Sequence, residues 1–284
     1  MHATPPLILT VAGFDPSSGA GITADIKTIA AHGCYGMACI TALTVQSTQG
    51  VREVVPLDPS LVSRTLDELA ADVDFNGVKI GMLGSARVVS AVADFLQSKR
   101  IDNVVLDPIL KASSGAVLLD EAGRELMVKR LLPAVSVVTP NLQEAAALTG
   151  LRVTNLEEMR SAAMCLHERG VPHVVVTGGD LEKATDLLSF TTSDGGIAEE
   201  VFRAKRHDSP STHGTGCAFA SALACHLAQG RKIAESVLLA KAFVAGAIAN
   251  APRLGRGIGP VHHLYRMQQP SRVPSPVPEP EPVR

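Results

Sequence analysis

The chain has 284 residues, 46% of them hydrophobic but only 3% aromatic, no Trp, and a formal net charge of -2. That length supports one large core packed from Ala, Val, Leu and Ile. With no block of like charges, nothing draws the protein to nucleic acid or an anionic membrane, and a small-molecule partner is the better expectation.

In chain order, residues 7–11 form an apolar run with no Lys or Arg before it and Asp15 soon after, so they read as a first buried strand rather than a signal core. A glycine-rich turn follows, Gly13-Phe14-Asp15-Pro16-Ser17-Ser18-Gly19-Ala20-Gly21, and leads into an apolar helix carrying Asp25 and Lys27. Gly19 to Ala24 match the letters G-x-G-x-x-A, but no acidic residue lies between Asp25 and Glu53 to bind a ribose hydroxyl. A dinucleotide fingerprint is therefore rejected, and no Walker A loop is present.

Further short apolar runs at 39–43, 78–82, 104–106, 135–138 and 174–176 predict strands buried on both faces. Between them lie helical periods. Asp58-Pro59 gives an N-cap and first-turn proline for a helix burying Val62, Leu66, Leu69 and Val73, and Ser85 precedes one burying Val88, Val92 and Phe95. The alternation implies a three-layer α/β fold, a mainly parallel sheet with helices on both sides, whose ligands sit at the carboxyl ends of the strands. Residues 187–204 break the rhythm and predict antiparallel strands, with a loop over 205–211. One domain over 1–268 is expected, then a tail over 269–284 holding six of the 18 prolines. An unstructured end is preferred for it over a docking motif. No internal repeat is visible.

Several residues at predicted strand ends carry polar chemistry. Gln46 offers a donor and an acceptor that match an aminopyrimidine edge, or is a solvated loop residue. Asp107, after 104–106, is either a pre-proline turn former or a carboxylate beside metal or phosphate. Asn141 and Glu144 have capping-box spacing, which needs no ligand, yet an amide and a carboxylate there also suit the waters around Mg²⁺. The second glycine turn, Thr212-His213-Gly214-Thr215-Gly216-Cys217, opens a long apolar helix. Its amides are expected to converge on a phosphoryl group, and the helix start to lower the Cys217 thiol pKa so that it accepts a proton from an alcohol.

The five cysteines form no C-x-x-C pair, which argues against a disulfide framework or a thiolate zinc site and fits reduced thiols in the cytosol. The nine histidines include no H-E-x-x-H, so no structural metal is assigned, and no stretch reads as a membrane span.

Taken together, Ala12-Gly13 through Gly21-Ile22 with Ala24-Asp25, Ile40-Thr41-Ala42-Leu43 with Gln46, Lys79-Ile80-Gly81-Met82-Leu83, Val104 to Pro108, Thr139 to Leu142 with Glu144, Thr212 to Cys217 and Gly257 to His263 resemble the hydroxymethylpyrimidine/phosphomethylpyrimidine kinase family of thiamine biosynthesis, within the ribokinase superfamily. The resemblance implies a ribokinase-like fold, a homodimer, and ATP-dependent phosphorylation of 4-amino-5-hydroxymethyl-2-methylpyrimidine and then of its monophosphate. It assigns Gln46 to the pyrimidine with Gly13, Asp25 and Met82 lining its pocket, and Asp107, Asn141, Glu144 and Thr177 to ATP phosphates. Glu144 serves Mg²⁺ through water, Gly214, Thr215 and Gly216 form the anion hole, and Cys217 is the base. Thr177 stands where the family usually has Lys, and Ser113 where Lys is common, with Lys111 two residues earlier. The competing readings are a pyridoxal or pyridoxine kinase and, from another class, a pyrimidine-binding regulator without transfer activity.

Overall fold

The computed structural model describes residues 4–112, 114–179, 181, 184–204 and 209–267. Ser113, residues 205–208 of the expected loop and the proline-rich tail lie outside them.

Chain order runs β1 (Leu7–Phe14), α1 (Gly21–Ala31), β2 (Tyr35–Ser47), β3 (Gly50–Pro56), α2 (Pro59–Asp72), β4 (Gly77–Ile80), α3 (Ala86–Ser98), β5 (Val104–Leu106), α4 (Glu121–Leu126), β6 (Val137–Val138), α5 (Leu142–Thr149), α6 (Leu156–Glu168), β7 (His173–Val176), β8 (Ala184–Thr191), β9 (Ile197–Ala204), α7 (Thr215–Ala228) and α8 (Ile233–Ala249). One nine-stranded sheet has the order β3-β2-β1-β4-β5-β6-β7-β8-β9. The run from β2 to β7 is parallel throughout, whereas β3, β8 and β9 pair antiparallel.

The two-faced burial read from the sequence is explicit in the strands. On β5, Val104 and Leu106 join the core under α2, α3, α5 and α6, while Val105 joins the core under α1, α7 and α8. Val138 and Val137 divide in the same way. Each central strand is thus a short apolar run, because both its faces meet a helix layer.

Local signals hold where backbone donors must be capped. The Asp58 side chain accepts from Ser60 N at 2.7 Å, and Ser85 Oγ accepts from Val88 N at 3.3 Å. Val62, Leu66, Val88, Val92 and Phe95 are buried as predicted, although Val73 lies one residue past the end of α2. The antiparallel pair expected within 187–204 is β8 with β9.

The departure lies on the other side. The strand expected at 39–43 extends over 13 residues and turns back through β3, which the sequence reading missed. Gln46 therefore sits within a strand, paired with Val51, rather than in a loop after one. No helix among the described residues is long and apolar enough to cross a membrane.

Candidate active site

The sheet brings the polar residues to one edge. Asp15 follows β1, Met82 lies just past β4, Asp107 ends β5, Asn141 follows β6 and Thr177 ends β7, all on the carboxyl side of parallel strands. The start of α7 lies across them.

The two glycine turns meet, and only glycine permits the contact. Gly214 has φ +84, and a Cβ there would fall 1.8 Å from the carbonyl oxygen of Gly19. Their chemistry differs, however. In the first turn the Asp15 carboxylate already accepts from Ser17 N at 2.8 Å and Ala20 N at 2.9 Å, so those amides are spent on a side chain. In the second turn no side chain caps α7. The N–H groups of its first turn have no partner within the helix and carry its positive dipole end. Of the amides expected at Gly214, Thr215 and Gly216, that of Thr215 makes a long contact, 3.4 Å, with the Thr212 carbonyl oxygen.

Cys217 is buried beside this turn, in contact with Asp107 and within the fields of Lys79 and Asp25. The sequence expectation that the helix start lowers its pKa is not met. Burial pushes the thiol up to about 12, Asp107 and Asp25 add to the rise, and Lys79 and the Gly21 amide only partly offset it. A dipole of about half a charge is outweighed by lost solvation and two carboxylates.

Asp107 is equally constrained. Burial raises its carboxyl to about 6 against the pull of Lys79, and its Oδ2 has no hydrogen-bond partner. A Cβ on Gly216 would lie 3.8 Å from both of its oxygens, so the carboxylate underlies the anion turn. Glu144 is raised to about 8, first by burial and then by the charge of Asp107. Asn141 and Glu144 complete the capping box: Glu144 N donates to Asn141 Oδ1 at 2.9 Å, and Asn141 N donates to Glu144 Oε2 at 2.9 Å. The structural reading of that pair is correct as far as it goes. It leaves two buried, mutually repelling carboxyl groups with an orphaned oxygen, a donor set that fits a divalent cation shared with phosphate oxygens and water. No set of three or more His, Cys, Asp or Glu among the described residues is arranged to hold a metal alone.

Toward β2, Gly13 and Met82 are neighbours: a Cβ on Gly13 would lie 3.0 Å from Met82 Sδ. Gln46 contacts His213, with Nε2 to Nε2 at 3.2 Å, and His213 Nε2 lies 2.8 Å from Asp15 Oδ2. Asp25, expected to line the pocket, is fully buried. Its carboxylate accepts from Thr10 Oγ1 at 2.6 Å, Lys79 Nζ at 2.9 Å and Ser221 Oγ at 2.9 Å. Thr177 bridges to Asn141, and the next residue, Gly178, donates its N–H at 3.0 Å to Asp186, which holds Lys241 Nζ at 2.6 Å. A cation is thus present near the threonine, supplied by α8. Lys111 is exposed on the loop that follows β5.

The sequence reading gave no role to Lys79, His213, Asp15 or Ser221. A lysine between Val78 and Ile80, in a strand read as buried on both faces, was the available signal for the first.

A family model described as phosphomethylpyrimidine kinase matches residues 15–262. The hydroxymethylpyrimidine/phosphomethylpyrimidine kinase of Salmonella typhimurium is 44% identical over 260 residues, 90% of this chain and 97% of that protein. The thiamine biosynthesis bifunctional protein ThiED of Geobacter sulfurreducens is 43% identical over 257 residues, 90% of this chain but 52% of its own length, so the chain spans about half of it. Among solved structures, the pyridoxal kinase of Staphylococcus aureus in complex with AMP-PCP and pyridoxal superposes with a TM-score of 0.83 at 33% identity, covering 93% of this chain and 96% of that one.

Proposed function

This chain belongs to the phosphomethylpyrimidine kinase family, and from that premise we propose that it transfers the γ-phosphoryl group of ATP to 4-amino-5-hydroxymethyl-2-methylpyrimidine and then to the resulting monophosphate, in thiamine biosynthesis. The observation that carries the reading is the uncapped start of α7, with Cys217 and Asp107 beneath it and Gln46 on the acceptor side.

In this reading Gln46, Gly13 and Met82 hold the flat pyrimidine, and Asp25 acts from behind through Lys79 and Ser221. Asn141, Thr177 and Asp107 face the nucleotide phosphates. Asp107 and Glu144 would hold Mg²⁺, Glu144 through water, and the ion would neutralise charge on the phosphate oxygens. Amides of Gly214, Thr215 and Gly216 stabilise the negative charge on the migrating group, which passes in line from ATP to the alcohol oxygen. Cys217 Sγ takes the alcohol proton. Its own proton must first leave to water, so the base is the small thiolate fraction, which the buried Lys79 cation favours against burial and the two carboxylates. Lys241, paired with Asp186, supplies the cation that Thr177 lacks, and Lys111 is the candidate partner for the more anionic second substrate.

A second reading rests on the pyridoxal kinase likeness, since pyridoxal also presents a hydroxymethyl group on a flat heteroaromatic ring. Turnover of the two alcohols under matched ATP and Mg²⁺ separates them. The proposal expects the aminopyrimidine to have the higher kcat/KM, and the reverse order would favour the vitamin B6 reading. Retention of the anion turn, Cys217, Asn141 and Glu144 weighs against a regulator without transfer activity. A homodimer in the cytosol completes the proposal, supported by the exposed apolar side chains of Leu43, Val45 and Val55 on the β2–β3 ribbon.

A further inference from the structure

The acceptor pocket contains a hydrogen-bond chain whose polarity is fixed at both ends. At one end Asp15 accepts from Ser17 N at 2.8 Å, Ser17 Oγ at 2.7 Å and Ala20 N at 2.9 Å. Burial opposes its charge, yet hydrogen bonds from His213, Ser17 and Ala20 outweigh it and hold the carboxyl below its ordinary range. Asp15 therefore has no proton to give, and the 2.8 Å contact with His213 Nε2 requires the hydrogen to sit on that nitrogen.

At the other end Thr44 Oγ1 lies 3.0 Å from the carbonyl oxygen of Phe14. A carbonyl only accepts, so the single hydroxyl hydrogen goes there and Thr44 offers Gln46 a lone pair. Gln46 lies between, one end of its amide 3.2 Å from Thr44 Oγ1 and the other 3.2 Å from His213 Nε2. The two ends of an amide have the same shape, and only the network decides which is which. Nitrogen toward His213 would set N–H against N–H and leave two acceptors facing at Thr44. Oxygen toward His213 becomes the second, longer acceptor of the one Nε2 hydrogen that Asp15 takes at 2.8 Å, and nitrogen toward Thr44 meets a lone pair, so only this direction sets a donor against an acceptor at both ends.

We propose that His213, pinned by Asp15, is the positioning residue that fixes the direction of the Gln46 amide and thereby makes the pocket select a 4-aminopyrimidine over its 4-oxo counterpart. The inference rests on the pyrimidine reading of this pocket and deepens it. A 4-aminopyrimidine edge presents an exocyclic donor beside a ring acceptor, whereas the 4-oxo ring presents an acceptor beside a ring N–H. The two edges need opposite directions of one amide. A free amide reads both by turning over. A tethered one turns only by setting donor against donor in a half-buried site, enough for about 10- to 100-fold discrimination. His213 also begins the turn that continues into Gly214 and Cys217, and its backbone pairs with Pro260, so its ring cannot drift from the pocket without moving that turn.

The test is the ratio of Kd values, by calorimetry, for 4-amino-5-hydroxymethyl-2-methylpyrimidine and 5-hydroxymethyl-2-methylpyrimidin-4-one. It is measured on the full chain and needs no turnover. Wild-type protein is expected to prefer the amino compound by about 10-fold or more. His213→Leu is expected to bring the two affinities within about threefold, and His213→Gln, whose amide nitrogen reaches the position of Nε2, to restore the preference. Thr44→Val removes the opposite tether and is expected to lower the ratio as well, which keeps the test decisive should His213→Leu fail to fold. An unchanged ratio in His213→Leu or Thr44→Val, or no preference in the wild type, would overturn the proposal. Absence of ATP-dependent turnover alongside a preserved binding preference would instead count against the kinase reading alone.

Discussion

Lys79 Nζ lies 2.9 Å from Asp25 Oδ2, and neither side chain reaches solvent. Burial disfavours the lysine's charge, but Asp25, Cys217 and Asp107 outweigh that cost and raise its pKa, so it remains a cation at the centre of the sheet. Because Asp25 also bonds Thr10 and Ser221, this one charge ties β1, β4, α1 and α7 together directly beneath Cys217.

Lys79→Met leaves Asp25 charged, buried and without its cation. The expected loss is about 3–5 kcal/mol of unfolding free energy, read from denaturant midpoints. Asp25→Asn in the same chain removes the stranded charge and is expected to recover a large part of it. Equal stability of the single and double variants would show that the pair is not coupled.

The raised pKa values of Asp107 and Glu144 have a definite sign in stability. Glu144 moves from 4.5 to about 8 and Asp107 from 3.8 to about 6, so between the ordinary and raised values the folded state holds more protons than the unfolded one. Stability contributed by these groups is present at the acid side and lost as pH rises through that window. The melting temperature of metal-free protein is expected to fall from about pH 5 to pH 8. Mg²⁺ with ATP is expected to raise it more at the alkaline end. Glu144→Gln should flatten both trends, and a pH-independent Mg²⁺ increment would remove the carboxylate pair from the site.

Gly214→Ala must push the two glycine turns apart, since its Cβ would collide with the Gly19 carbonyl oxygen. Turnover is expected to fall by about 10²-fold, because displaced amides miss the position of the transferred group. Gly150→Ala is the control: it has φ +78 with nothing near its Cβ. It should cost about 1 kcal/mol of stability and leave turnover near normal.

Cys217→Ala removes the proposed proton acceptor and is expected to lower kcat by about 10²-fold or more. Since burial pushes the thiol up to about 12 in the free protein, the wild-type rate should climb with pH across neutrality, and this variant should lose that climb. Near-normal turnover of the variant would reject the role.

The layered fold was readable because each central strand is a short run apolar on both faces, as β5 illustrates with Val104, Val105 and Leu106. The capping box at Asn141 and Glu144 was readable because both of its bonds are local in sequence. What escaped was long-range. The β3 strand carries Arg52 and Glu53 on a ribbon edge and lacks the continuous apolar run used as a strand signal. The burial of Asp25 depends on Lys79 and Ser221, 54 and 196 residues away. The pKa of Cys217 was misjudged for the same reason: a helix start is visible in sequence, whereas the buried carboxylates of Asp107 and Asp25 around the sulfur are a product of the fold.

One product tests the phosphoryl transfer most directly. Purified protein is incubated with ATP, Mg²⁺ and 4-amino-5-hydroxymethyl-2-methylpyrimidine, and the phosphates on the pyrimidine are counted by mass spectrometry. The predicted result is a pyrimidine carrying two phosphates, formed through the monophosphate and lost in Cys217→Ala. Unmodified alcohol recovered from folded, ATP-binding wild-type protein would contradict it.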